Sequence, residues 1–459
     1  MGCDRAQAQA WEGLKVIHPQ AAGLDIGSTE IWAAVAPAGT AEAVRKFGTY
    51  TEDLYALADW LGACGVDTVA MESTGVYWVP VYEVLEARGL RPQVVNARHV
   101  KQVPGRKSDI QDCEWLQGLH SVGLLRGSFR PEAEIVALRA YLRQRAQLIE
   151  HRAAHIQHMQ KALTQMNVQL TQVVKDITGV TGLSIIRAIV TGERDPQQLA
   201  ALRQPGVKKS EQEIAKALEG HYRPEHVFAL KQALALYDVY TEQVAECDRE
   251  IERQFANVKP VDEDLPPLPP SDKRDSHSKN APSYDARGYL YRLTGVDLVA
   301  ISGLNESSVQ TIISEIGTDL SAFPNEKHFC SWLGLAPHND ISGGKRLRSR
   351  TLKTQNRAGQ AFRLAAQSVA KSPHSAFGAF YRRMKARLGP KQAIVATAHK
   401  LARAFYQILK HRLPFHDLGG EEYERRARER EIKHLKKRAS KLGLTLSESP
   451  TNPALAGSF

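Results

Sequence analysis

The stretch Ala21-Ala-Gly-Leu-Asp-Ile-Gly-Ser-Thr-Glu-Ile-Trp-Ala-Ala-Val-Ala36 sets one aspartate, Asp25, inside an apolar strand that runs straight into Gly27-Ser28-Thr29. Burying a charge without a partner costs several kcal/mol, so the carboxylate needs a reason. A structural turn, a phosphate-binding loop and a metal site completed by distant ligands all remain open at this point. Working outward, "AGLDI" and "EIWAAVA" read as strands joined by the Gly-Ser-Thr turn, and "EAVRKFGTY" as a third. "TEDLYALADWLGACG" follows as a helix capped by Thr51. "VDTVAMES" and "RPQVVNA" read as further buried strands, with "WVPVYEVLEARG" as a helix between them. The opening of the chain is an α/β domain.

Composition sets the limits. A chain of 459 residues with 42% hydrophobic content buries a sizeable core. Sixty-one Lys+Arg against fifty Asp+Glu, a formal charge of +11, point to a polyanionic partner. Five scattered cysteines without a C-x-x-C pair argue for reduced thiols and against structural zinc. No apolar run has the length of a membrane helix and no signal-peptide core is present at the N-terminus, so a cytoplasmic protein with no membrane partner is expected.

Farther along, the tract from about 131 to 170 lacks Gly and Pro after Pro131 and repeats its apolar residues at three and four, which predicts one long helix. A second such tract, 222–257, reads as its antiparallel mate or as a dimer contact. Residues 258–288, rich in Pro, Ser and Asp, read as a flexible linker. The expected domains are therefore an N-terminal extension 1–20, an α/β domain 21–128, a helical region 129–257, the linker, a second compact domain 289–418 and a charged tail 419–459. The tail should begin as a helix, "EEYERRAREREIK", and fade into disorder. An internal echo joins "DITGVTGLSIIRAIVTGE" at 176–193 to "VAISGLNESSVQTIISEIG" at 299–317, each a helix, a glycine hairpin and a second helix. Such hairpins either offer backbone amides to phosphate or simply pack.

Asp25 has acidic company. Glu72 closes the strand "DTVAMES", and Asp109 and Asp112 fall three apart, on one face of a helix, in "GRKSDIQDCEWLQGLH". Like charges at that spacing repel unless a cation compensates. Four carboxylates form an oxygen-only set that suits Mg²⁺ or Mn²⁺, although taken singly Asp25 reads more readily as a turn former and the Asp109–Asp112 pair as a solvated face. "DIGST" also resembles the first phosphate loop of the actin and sugar-kinase ATPases, but the second phosphate loop and the Gly-rich adenosine pocket of those proteins are not found.

The other informative tract surrounds Ser342 in "APHNDISGGKRLRSRTLKTQNRAGQAFR". Between His338 and Phe415 stand 17 Lys+Arg and one acid, Asp340, a balance of +16 that leaves the rest of the chain at −5. That concentration is the footprint of a nucleic-acid surface. Ser342 precedes Gly343 and Gly344 on a loop and is followed by Lys345, Arg346, Arg348 and Arg350, with Lys353 and Arg357 beyond; Arg106 and Lys107 precede the helical acids. Ser-Gly-Gly alone reads as a turn. A serine attacks phosphorus only with help from a base, a metal or dense positive charge, and no His or Asp base can be assigned here.

Together, "GLDIGS", "MESTGVYW" and "KSDIQD", with the later "ISGL…IISEIG…FCSWLGLAP…ISGGK", resemble the DEDD transposases of the insertion sequence 110 family, the bridge-RNA-guided serine recombinases. The resemblance implies an α/β RuvC-like, ribonuclease-H-like domain, a helical coiled-coil middle, and a C-terminal, mainly α, transposase domain with a serine loop. It also implies that Asp25, Glu72, Asp109 and Asp112 bind Mg²⁺ and that Ser342 links covalently to DNA. A guide (bridge) RNA would pair with donor and target DNA, in a homodimer or homotetramer. The sequence departs from the common pattern after Ser342, where "LKTQNRAGQAFR" stands in place of a Lys-x-Gly, and in the length of its middle region. Two other readings are a RuvC-like DNA nuclease with water as nucleophile and a basic nucleic-acid-binding protein without chemistry.

Overall fold

The computed structural model describes residues 14–36, 42–72, 75–96, 109–271, 278–351 and 356–447. It forms two units, Met1–Arg130 and Pro131–Phe459. In the first, β1 (Ala21–Ile26) turns back into β2 (Ile31–Val35) and β3 (Val44–Phe47); α1 (Thr51–Ala63), β4 (Thr68–Glu72), α2 (Trp78–Ala87), β5 (Arg91–Val95) and α3 (Asp109–Ser121) follow. The sheet order is β3-β2-β1-β4-β5, with β1 to β3 antiparallel and β4 and β5 parallel to β1. Ala22, Leu24 and Ile26 alternate onto one face and pack with Leu57, Leu61 and Leu85 of α1 and α2. The predicted strands thus form where short apolar runs can be buried. The cap of α1 differs: Thr51 is its first residue, Tyr50 is the cap, and the Asp53 carboxylate accepts the Tyr50 N–H at 3.1 Å.

Among the described residues, the regular elements of the second unit are helices and one hairpin. Helix α4 (Ala133–Gln165) ends before 170 because Asn167 takes a left-handed φ of 57°. Short helices α5 (Leu170–Val173), α6 (Val180–Thr191), α7 (Pro196–Ala201) and α8 (Glu211–Leu218) pack with its end around Ile185, Ile189 and Leu218, and α9 (Pro224–Asn257) returns alongside α4. The pairs Arg145–Asp248 and His155–Tyr240 show that the two long helices run antiparallel within one chain. Arg145 and Asp248 are both buried, and Arg145 also donates to the carbonyls of Asn280 and Ala281, 3.1 Å each, while Asp248 accepts the Ser283 N–H at 3.2 Å. The described part of the expected linker is therefore irregular but tethered: a buried ion pair needs further partners, and this segment supplies them.

Beyond it lie α10 (Ala286–Thr294), α11 (Glu306–Ile316) and α12 (Glu326–Trp332), then strands β6 (Pro337–Ser342) and β7 (Lys345–Thr351), then α13 (Arg357–Val369), α14 (Ala376–Leu388), α15 (Pro390–His411) and α16 (Gly420–Lys441). Phe329, Phe362, Phe405 and Tyr406 form the core of this part, and the Tyr406 hydroxyl donates to the Phe323 carbonyl at 2.6 Å. The tail helix α16 is docked, with Arg383 against Glu424 and Glu431 and the Lys400 ammonium 4.4 Å from the rings of both Phe380 and Tyr423. The expected disordered end falls largely in 448–459, outside the described residues. Of the two echoing segments, one turns at Gly303 with φ 85° before a helix capped by Asn305, whereas Gly179, at φ −74°, itself caps α6. The likeness in sequence is not a structural repeat.

Candidate active site

The acids gather because of a glycine. A methyl group on Gly23 of β1 would collide with the backbones of Cys113 and Gln117, so α3 lies flush against the strand there. The Gln117 side-chain amide donates to the Ala21 carbonyl at 3.3 Å, so α3 runs antiparallel to β1. Two strand residues advance about 7 Å and four to five helical residues the same distance. Moving from Gly23 to Asp25 therefore moves along α3 from Cys113 and Gln117 to its first turn, which carries Asp109 and Asp112. Glu72 arrives by register. Leu24 pairs with Met71 across the parallel β1–β4 ladder, and the next step sets Asp25 beside Glu72 on the same face.

The electrostatics agree. The Asp25 carboxyl is pushed up to about 6, by burial first and then by the negative charges of Asp109, Asp112 and Glu72. Burial likewise pushes the adjoining Cys113 thiol up to about 12. Among the described residues, no three His, Cys, Asp or Glu side chains are gathered closely enough to hold an ion as they stand. Asp25 thus feels the charge of the other three acids, although the set is not drawn in to coordination distance. The donor set is all oxygen and net negative, which fits a hard divalent cation. Arg106 and Lys107 lie outside the described residues.

Ser342 does not sit on a free loop. It is the last residue of β6, and Gly343 and Gly344, at φ 55° and 73°, close a two-residue turn to Lys345. Both turn residues need positive φ, so the two glycines have a stereochemical reason. The hairpin is exposed nearly throughout, with Ile341 at 65% and Leu347 at 72%. Lys345, Arg346, Arg348 and Arg350 all lie on β7. Arg357 begins α13, where Asn356 caps by accepting the Gly359 N–H at 2.9 Å, and it lines a cleft with Arg143 and Ser308. Lys353 is outside the described residues. Around Ser342 the sequence carries no strand signal, because "HNDIS" and "KRLRSRT" show no apolar alternation; the Gly-Gly pair is the available clue. His338, which no sequence pattern marks, has its Nδ1 3.3 Å from an Asp340 carboxylate oxygen.

A mixed sheet with acids converging at the carboxyl ends of its strands, followed by a helical unit carrying a basic hairpin, belongs to the class of enzymes that act on DNA. Residues 22–168 match the family model of the DEDD transposases of IS110, and residues 297–382 match that described as transposase IS116/IS110/IS902 family. The chain belongs to the IS110 family of transposases. No curated protein gives a match.

Proposed function

We propose that this transposase cuts and rejoins DNA strands through a phosphoserine link at Ser342, with Asp25, Glu72, Asp109 and Asp112 as ligands of Mg²⁺ or Mn²⁺, and that an RNA encoded by its element selects donor and target DNA. The convergence of three acids on Asp25, expressed in its raised pKa, carries the metal half of this reading. The strand order β3-β2-β1-β4-β5 supports a RuvC-like, ribonuclease-H-like domain. Family membership supports the DNA substrate, the serine and the guide.

A bound divalent ion would supply Lewis-acid stabilisation of charge on the phosphate. The chain's own residues do the rest. In the attack, the Ser342 oxygen bonds to phosphorus, the bond from phosphorus to one deoxyribose oxygen breaks, the serine proton passes to solvent and the departing oxygen takes one up. Cationic side chains of β7 that share the serine's face hold the phosphate oxygens while charge builds on them. The new phosphoester conserves the energy of the broken one, so rejoining needs no external source.

The test is a denaturing gel of the protein incubated with Mg²⁺, its RNA and end-labelled DNA. A labelled band at protein mass is expected for the wild type and should vanish in Ser342→Ala, while RNA and DNA binding persist. Cleavage that survives in Ser342→Ala, without any adduct, would leave water as the nucleophile and the acids as a nuclease centre.

A further inference from the structure

Read along the chain, the four cations that follow Ser342 look equivalent; the hairpin divides them. Ser342 pairs with Lys345 and Ile341 with Arg346, but Asp340 pairs with Arg348, Asn339 with Ser349 and His338 with Arg350. Leu347 is the extra residue, a β-bulge. In an unbroken ladder, faces alternate with each residue from the turn, and Arg346, Arg348 and Arg350 would all point away from the serine's face. The bulge resets that alternation. Ser342, Asp340 and His338 share one face of β6, and the 3.3 Å approach of His338 to Asp340 agrees. Their partners Lys345, Arg348 and Arg350 share it too. Arg346 stays opposite Ile341 on the other face.

We infer that the Leu347 bulge builds a one-sided phosphate clamp. Lys345, Arg348 and Arg350 hold the backbone of the DNA strand that Ser342 attacks, and Arg346 takes no part. This rests on the serine reading above. The commitment to phosphate follows from charge and spacing: long cationic side chains set opposite alternate residues of β6, about 7 Å apart, reach successive anionic groups of an extended polymer. The commitment to the attacked strand follows from the shared face with the nucleophile.

The clamp is tested in the full-length protein with its RNA and a labelled duplex of the element's own end, by the rate of adduct formation at saturating DNA. Arg348→Gln and Arg350→Gln should each slow the adduct roughly 100-fold, while Arg346→Gln stays within about threefold. Arg348→Lys should recover part of the loss, since it restores the charge but not the forked geometry. Two changes to the ladder separate facing from charge. A residue inserted between Asp340 and Ile341 regularises the pairing and turns Arg348 and Arg350 away from Ser342, and should abolish the adduct. Deleting Leu347 also regularises the pairing but leaves both facing the serine, and should keep the rate within about tenfold. Equal losses in Arg346→Gln and Arg348→Gln, or equal behaviour of the insertion and the deletion, would overturn the clamp. Ser342→Ala, run alongside, tells the two ideas apart. An adduct that persists there removes the serine reading and the clamp with it, whereas an adduct lost there with the arginines indistinguishable leaves the serine in place and removes the clamp alone.

Discussion

Asp25 sits half-buried with three other acids bearing on it, and with its pKa pushed up to about 6 it keeps its proton into the mildly acidic range. The sign follows from the direction of the shift. Its folded pKa lies above the ordinary carboxyl value, so the fold favours the protonated form, and the associated stability is present at low pH and lost as pH rises through about 6. Without divalent metal, Asp25→Asn should therefore match the wild type near pH 4 and exceed it by about 1 kcal/mol above pH 7, a value discounted for the solvent that reaches the side chain. Thermal melts across that range check this, and a pH-independent difference would show that the neighbouring charges do not act. Metal binding should release a proton near pH 6, visible in calorimetry as a heat that depends on the ionisation enthalpy of the buffer. Asp25 was legible in the sequence because a charge stands out in an apolar strand. The pairing of His338 with Asp340 was not, because its geometry depends on a strand that nothing apolar announced.

At the scale of elements, Gly23 controls how closely α3 meets β1. Gly23→Ala should lower stability by about 1–3 kcal/mol through overpacking, and a shift of the acids by about 1 Å should cost about 100-fold in cleavage. Circular dichroism during urea unfolding and a cleavage assay read the two effects separately; a variant as stable and active as the wild type would mean that α3 does not rest on the strand. Arg145 offers a second test. Arg145→Ala leaves Asp248 buried without its countercharge and should lose about 3–5 kcal/mol, with faster proteolysis around 278–285 as the tether is removed. The apolar run of β1 and the three-four periodicity of α4 carried the reading of those elements, since burial imposes those patterns. The tethered segment escaped it: Pro- and Ser-rich composition reports the lack of a regular element, not the lack of contacts. The hairpin escaped because its exposed residues pack into no core and so carry no apolar pattern.

Across the whole molecule, positive charge collects in the region from His338 to Phe415, while the remainder is net negative. DNA affinity of the intact protein should fall steeply with salt, by about 0.9 of a logarithmic unit per phosphate contact for each tenfold rise, and a flat salt titration would place the contact elsewhere. The acids lie in one unit and the serine in the other, so a proposed homo-oligomer could complete its sites between chains. Mixing Asp25→Ala with Ser342→Ala chains should then restore some adduct, and failure in a demonstrated hetero-oligomer would confine each site to one chain. The exposed hairpin also has a bearing on timing. Two strands without a core of their own are marginally stable in water, so before DNA arrives the hairpin should open and close far faster than the sheet unfolds, with early hydrogen exchange along β7. The proposed nucleophile, carried on such an element, would be aligned only while a phosphate chain bridged the neighbouring cations. Brief encounters would end before alignment, and only a duplex held in place by other contacts would stay long enough to be cut.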